Sequence, residues 1–284
     1  REIAQELMCN FNTSGTTLLS GEDLQLIGEN IKDPKYKTGF DRNLWIWETY
    51  DETQKYILIA DVARGDGEDF SAVQILNINN MEQVAEYQGK LPLDLFARFI
   101  YDTGKEYGAC LTVVENNSIG ISVLEKLKDM GHPNLYYSKK MSHEYVENAY
   151  DEMPGIVPGF STTTKTRPLI IAKLEEFIRN KAININSLRI YNEFKTFVWH
   201  NGKAEAMRSY HDDLVMAMAI ACWVRDTALV MNKKEIQYKK ALLGSLKTTR
   251  SVLDTSIHGM SNHGQRVINL RKEEKKINLP FFIG

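Results

Sequence analysis

Three acidic residues stand where apolar runs meet polar turns or open a helix. Asp61 follows Tyr56-Ile57-Leu58-Ile59-Ala60, Glu115 follows Leu111-Thr112-Val113-Val114, and Asp213 precedes Leu214-Val215-Met216-Ala217. A carboxylate at the mouth of a buried element can meet others from distant parts of the chain. Three or four converging carboxylates make an oxygen cage for a hard divalent cation, since Mg2+ takes oxygen ligands and keeps several of its waters. The chemistry such a cage serves is metal-assisted phosphoryl hydrolysis.

Taken singly, each acid has a plainer reading. Asp61, with Asp66, Glu68 and Asp69, fits a solvated Gly- and Asp-rich turn. Asp212 or Asp213 fits a helix N-cap, and His211 fits a structural histidine. Glu115 is harder to explain this way, because it ends a continuous apolar run and open α/β sheets bind ligands at the carboxyl ends of their strands. The set carries the chemistry rather than any one member.

The elements that must position these residues are legible from periodicity. Ser20-Gly21-Glu22-Asp23 caps a short helix to about Asn30, the Ser hydroxyl answering a free N–H and the acids suiting the helix dipole. Strand-like runs occur at Leu44 to Trp47 and Tyr56 to Ala60, then Ser71 to Ile78 and Gln83 to Gln88. From Tyr56 on, three strands joined by short turns predict an antiparallel meander. Leu93, Phe96, Ala97, Ile100 and Tyr101 recur at helical spacing, giving a helix over Pro92 to Tyr107. Cys110 to Val114 reads as a strand buried on both faces, Gly120 to Met130 as a second helix, and Leu135 to Tyr137 as a short fifth strand. Helices follow from Thr166 to Asn180, from Ser187 to Phe197, and from Asp213 through an apolar run to Met231, with a turn at His200-Asn201-Gly202-Lys203. Ser138 to Thr164 reads as a long loop over the cleft. The fold class is α/β, a mixed five-stranded sheet flanked by helices.

Composition narrows the function without naming it. Lys plus Arg (35) nearly balance Asp plus Glu (37) in 284 residues, so a nucleic-acid partner would need a local basic patch. Cys9, Cys110 and Cys222 are odd in number and far apart, with neither zinc spacing nor a disulfide framework, which fits a reducing compartment. The longest apolar stretch, Leu214 to Val224, is too short to span a bilayer.

At this point the motifs become specific. Ile57-Leu58-Ile59-Ala60-Asp61, the hairpin to Asp69-Phe70-Ser71-Ala72, Val114-Glu115-Asn116-Asn117, and His211-Asp212-Asp213-Leu214-Val215-Met216-Ala217 together resemble the nuclease domain of tailed-phage terminase large subunits, particularly the T4-like group. The match runs over residues 50 to 232 in the family's order. It implies an RNase H-like fold and an endonuclease that cuts double-stranded, concatemeric DNA with little sequence preference during genome packaging. It also implies Mg2+ as cofactor in a two-ion site, with Mn2+ a possible substitute. Two cations about 4 Å apart would bridge the scissile phosphate, one activating water and the other stabilising the leaving 3′-oxygen. The metal-holding acids map onto Asp61, Glu115 and one of the Asp212-Asp213 pair. Asp213 is preferred because the apolar helix follows it directly, and Asp212 stays open. Asp69, Asp212 and His211 are auxiliary candidates.

DNA held against such a cage needs cations. Candidates are Lys139, Lys140 and His143 in the long loop, Lys165 and Arg167 at the next helix, and Lys203 and Arg208 ahead of His211; ordinary surface charge is the alternative for each. The resemblance further implies an ATPase domain N-terminal to this one, whose phosphate-cradling G-x-x-x-x-G-K-[ST] loop does not occur here. The chain starts at Arg1, so residues 1–48 are read as the junction to that motor, 49–244 as the nuclease, and 245–284 as a tail. By the same resemblance the portal protein and the small terminase subunit are partners, and the place of action is the cytoplasm of the infected host rather than the mature virion. Two rivals stay open: another RNase H-like nuclease of the junction-resolvase or transposase kind, and a non-catalytic packaging module with a structural cation.

Overall fold

The computed structural model describes residues 17–139, 155–200 and 202–229, without Asp66, Glu68, Ser118 and Thr227. Its centre is a six-stranded mixed sheet in the order β1-β2-β5-β4-β3-β6. The strands are β1 (Tyr36–Thr38), β2 (Leu44–Ile46), β3 (Tyr56–Asp61), β4 (Ser71–Asn77), β5 (Glu82–Gly89) and β6 (Leu111–Val114). β3, β4 and β5 form the predicted antiparallel meander. β6 then pairs parallel to β3, with Ala60 beside Val114.

Because side chains alternate across a strand, this register sorts the residues onto two faces. Leu58 and Ala60, Val73 and Ile75, Ala85 and Tyr87 point to one side. There they pack with Phe96, Ala97 and Ile100 of α2 (Leu93–Glu106) and with Val123, Leu124 and Leu127 of α3 (Gly120–Asp129) in a single apolar core. Full burial of each such Leu, Ile or Phe contributes about 1.5–3 kcal/mol. On the opposite side stand Ile57, Ile59 and Asp61, then Gln74, Glu86 and Gln88, then Val113 and Glu115. This second face is met by α5 (Leu188–Thr196), through Ser187, Arg189 and Glu193, with α4 (Thr166–Arg179) and the helix α6 over 213–226 completing the layer.

A register shift between Ile75 and Leu76 interrupts strict alternation on β5. Gln83 and Glu86, three residues apart, thereby meet on one side, where Gln83 Nε2 donates to Gln74 Oε1 at 2.8 Å and to Glu86 Oε2 at 3.0 Å. A bulge of this kind re-aims side chains without ending the pairing.

Helix boundaries follow the local signals. Ser20 caps α1 (Gly21–Asn30) by accepting the Asp23 amide at 3.1 Å, and Ser187 caps α5 through the Arg189 amide at 3.1 Å. The sheet differs from the five-stranded expectation at both edges. β1 and β2 join it through β5, Leu44 pairing with Tyr87. Leu135 to Tyr137 is no full strand: Leu135 makes one parallel bridge to Thr112, after which β7 (Tyr137–Lys139) turns away to pair with β8 (Ile156–Pro158). Phe160 then returns beside Glu115, so the last row of the sheet is split between two short segments. A further hairpin, β9 (Phe197–His200) with β10 (Lys203–Ala206), occupies the segment expected to be a helix end and a turn. Among the described residues no helix is long and apolar enough to cross a membrane.

Candidate active site

Asp61 and Glu115 are brought together by pleat and register. Ala60 lies beside Val114, so the next residue of each strand continues onto the same face, and the Glu115 amide donates to the Ala60 carbonyl at 2.8 Å. The two carboxyls are hydrogen-bonded to each other, and Asp213 and Asp212 lie close enough to act on Asp61 electrostatically. Burial, then the neighbouring charge of Glu115, then the shared hydrogen bond and Asp213, hold the Asp61 carboxyl well above the usual carboxylate range.

Asp213 opens α6, with only 17% of its side chain exposed. Burial and then the adjacent Asp212 raise it to about 7, against the pull of the Phe70 amide. Its Oδ2 is buried without a hydrogen-bond partner. Asp212 faces elsewhere: Arg167 Nη2 donates to its Oδ2 at 2.5 Å while the same guanidinium holds the Ala204 carbonyl at 3.3 Å. His211 Nδ1 stands 3.9 Å from both Asp69 Oδ1 and Asp213 Oδ2, and its ring sits edge-on to Phe70 with centroids 5.1 Å apart. Asp69 is largely exposed at the rim.

Residues around Glu115 supply its frame. Asn117 Nδ2 donates to Glu115 Oε2 at 3.2 Å, while its Oδ1 accepts the Ile119 and Gly120 amides at 3.1 and 2.7 Å and so caps α3. A side chain at Gly120 would lie 1.8 Å from the Glu115 carbonyl, so only glycine permits this approach. Asn116 donates to the Pro158 carbonyl at 2.9 Å and accepts from the Ser161 hydroxyl at 2.6 Å; the Ser161 carbonyl in turn accepts from Thr166 at the start of α4. One hydrogen-bonded chain thus runs from β6 to the helix that carries Arg167. The sequence reading noted Asn116 and Asn117 as part of the motif without giving them work; an Asn three positions ahead of a helix start is the signal that could have done so.

Glu193, on α5, was missed entirely. It is buried, and burial raises its carboxyl well above the usual range, with Asp213 a contributing neighbour. No local pattern marks it, since a Glu inside an amphipathic helix ordinarily faces water.

Among the described residues no three His, Cys, Asp or Glu side chains are drawn tightly enough to make a closed metal cage. The donor set nevertheless fits a hard cation. All donors are carboxylates, Glu115 and Asp213 raise the proton affinity of Asp61, and one buried oxygen of Asp213 makes no hydrogen bond. A groove of about 780 Å3 lined by residues 17–23, Gln25, Leu26, Glu29, Glu175, Arg179 and Lys181 shares no residue with this site.

The predicted DNA-binding cations divide. Lys165 and Arg208 are exposed, the latter in the loop leading to His211. Arg167 is turned inward to Asp212, and Lys203 is paired with Glu205 at 2.7 Å on the β9–β10 hairpin. Lys139 lies on β7 without a described side chain, and Lys140 and His143 fall outside the described residues. Lys90, which the sequence reading passed over, is exposed with its Nζ 4.7 Å from the Phe70 ring centre.

A β3–β6 pair that runs parallel at the edge of an otherwise antiparallel sheet, with acids at the ends of both strands and at the start of α6, is the arrangement of an RNase H-like fold. Among solved structures the chain matches large terminase nuclease domains. The nuclease of the thermophilic phage G20c, crystallised with bound cobalt, superposes with a TM-score of 0.57 at 17% identity over 74% of this chain and 97% of that one. The same nuclease with bound magnesium gives 0.57 at 16% identity over 74% and 97%. The nuclease domain of Thermus phage P74-26 gives 0.51 at 17% identity over 70% and 93%. No family model matches the sequence. The fold is therefore that of the phage large-terminase nuclease domains.

Proposed function

We propose that this chain is a divalent-metal-dependent endonuclease that cuts double-stranded DNA during viral genome packaging, with Asp61, Glu115 and Asp213 as the metal-holding acids. The observation that carries the reading is the convergence of these carboxyls from two strand ends and a helix start, with a buried oxygen of Asp213 that makes no hydrogen bond. The fold shared with terminase nucleases, one of them crystallised both with cobalt and with magnesium, supports it. Asp213 is preferred over Asp212 because Arg167 already occupies the Asp212 carboxylate.

When bound, divalent cations neutralise charge on the phosphate and supply a nucleophilic water at neutral pH. The chain's own residues do the rest. Asp61 and Glu115 would hold the ion from the sheet and Asp213 from the first turn of α6. Asn117 keeps Glu115 Oε2 oriented. His211, with its Nδ1 3.9 Å from both Asp69 Oδ1 and Asp213 Oδ2, is the proposed auxiliary group through which a proton would pass as a water oxygen bonds phosphorus, the P–O3′ bond breaks and the 3′-oxygen takes up a proton. Lys165, Arg208 and Lys90 are the exposed cations assigned to neighbouring phosphates. Mg2+ is proposed as the working ion with Mn2+ as substitute. The ATPase motor, portal protein and small subunit are the proposed partners.

The test is incubation with supercoiled plasmid in Mg2+ or Mn2+, beside an EDTA control and Asp61→Asn. Metal-dependent nicking and linearisation that vanish in the variant are expected, a loss on the order of 10^3-fold or more for a group acting as part of a unit. A well-folded Asp61→Asn protein that cuts at the wild-type rate would overturn the assignment.

A further inference from the structure

Glu193 has no part in the chemistry just described, yet both of its carboxyl oxygens are engaged at the edge of the site. Gln88 Nε2 donates to Oε1 at 2.9 Å, and the Val215 backbone N–H donates to Oε2 at 3.0 Å. Val215 lies two residues past Asp213, and its amide belongs to the first turn of α6, where N–H groups have no helical carbonyl to meet. Gln88 lies in the same row of the sheet as Asp61, since Asp61 pairs with Ala72 and Ala72 with Gln88. Glu193 therefore joins the row that carries Asp61 to the turn that carries Asp213.

We propose that Glu193 is a positioning residue for the acidic site: by holding the Val215 amide against Gln88, it fixes where the first turn of α6 sits on the sheet and so where Asp213 stands relative to Asp61 and Glu115. Packing alone does not account for an acid here, because a buried carboxyl costs stability that an apolar side chain of similar volume does not. Each of its oxygens accepts one hydrogen bond, from the sheet on one side and from α6 on the other, so the role assigned to Glu193 is that of a joint between elements. The inference rests on the reading of Asp61, Glu115 and Asp213 as metal ligands.

The experiment is a calorimetric Mn2+ titration of the full chain at fixed pH, with thermal melting in EDTA recorded for every variant. Glu193→Ala is expected to weaken Mn2+ binding about tenfold or more, the scale for partners that orient metal ligands. Glu193→Gln, which keeps an acceptor for the Val215 amide, is expected to restore binding. Thr196→Val serves as the structural control, because it removes only the 3.1 Å bond to the Glu193 carbonyl from the same helix. Wild-type affinity in Glu193→Ala, or a loss no larger than that of Thr196→Val at equal melting temperature, overturns the inference and leaves the site reading standing. Absence of Mn2+ binding in the wild type, or unchanged binding in Asp213→Asn, overturns the site reading itself. If Glu193→Ala does not fold, Gln88→Ala carries the test: weaker Mn2+ binding supports the joint, and unchanged binding overturns it.

Discussion

Glu86 and Asp61 are carboxyls on the same face of the sheet, two strands apart, and their surroundings are opposite. Glu86 is fully buried and meets Arg189 Nε at 2.8 Å, the Ser187 hydroxyl at 2.7 Å, and the amides of Gln74 and Gln83 at 3.1 and 3.0 Å. Arg189 is itself fixed, its guanidinium stacked 3.9 Å from the Trp45 ring centre and bonded to the Asn43 carbonyl. Asp61 instead meets Glu115, Asp213 and Asp212, each of which makes its ionisation harder. Glu86 carries a cation on its own carboxylate, whereas the guanidinium beside the second cluster, Arg167, is bonded to Asp212 and not to Asp61. A fold that neutralises one buried acid so thoroughly and gathers acids around another is organised for structure in the first place and for binding in the second.

That contrast can be broken most severely at Arg189. Arg189→Met strands the Glu86 charge, and a loss of about 3–5 kcal/mol in urea unfolding is expected, the cost of removing one partner from a buried pair. A loss under about 1 kcal/mol, typical of an exposed pair, would mean that Glu86 is not the structural acid drawn here.

The opposite sign is expected at Asp213. Its folded-state value of about 7 lies above the ordinary 3.8, so between these pH values the folded protein binds more protons than the unfolded one. The metal-free protein therefore loses stability as pH rises from about 4 to about 7 and changes little above that through this group. Asp213→Asn should recover on the order of 1–4 kcal/mol at pH 8 in EDTA, and nothing at pH 4. Melting curves at the two pH values check this, and equal differences at both would remove the electrostatic explanation. Metal competes with the same protons, so Mn2+ affinity should rise across the window up to about pH 7, as titrations at pH 6, 7 and 8 would show.

The smallest effect is expected at the rim. Lys165 occupies the N-cap position of α4, where a cation is disfavoured by the helix dipole. Lys165→Glu with Arg208→Glu should weaken DNA binding and reduce its salt slope by about one unit per lost phosphate contact, with no loss of fold stability. An unchanged slope would place the DNA path elsewhere.

Much of this arrangement was legible in the residues. The helices around Phe96, Leu124 and Ile170 follow from apolar spacing, and the meander follows from short turns, one rich in Gly and Asp and the next carrying Asn79-Asn80, because these signals are local. The β9–β10 hairpin was also legible: Asn201-Gly202 between Phe197-Val198-Trp199 and Lys203-Ala204 is a strong hairpin signal, obscured by the helical pattern just before it. The sixth strand was less accessible. Nothing in Tyr36-Lys37-Thr38, exposed throughout, announces that it closes an edge, since edge pairing depends on where β2 and β5 lie.

The sequence by itself determined which acids end apolar elements, and hence the candidates Asp61, Glu115 and Asp213, because burial of a run and polarity at its end are properties of neighbours along the chain. Only the tertiary structure decided that the parallel β3–β6 register puts Asp61 and Glu115 on one face, and that Arg167 takes Asp212 and leaves Asp213. It also decided that Gln88 and Glu193 tie α6 to the sheet. Those choices join residues as many as 105 positions apart, and side chains so separated meet only after register and helix packing have been fixed.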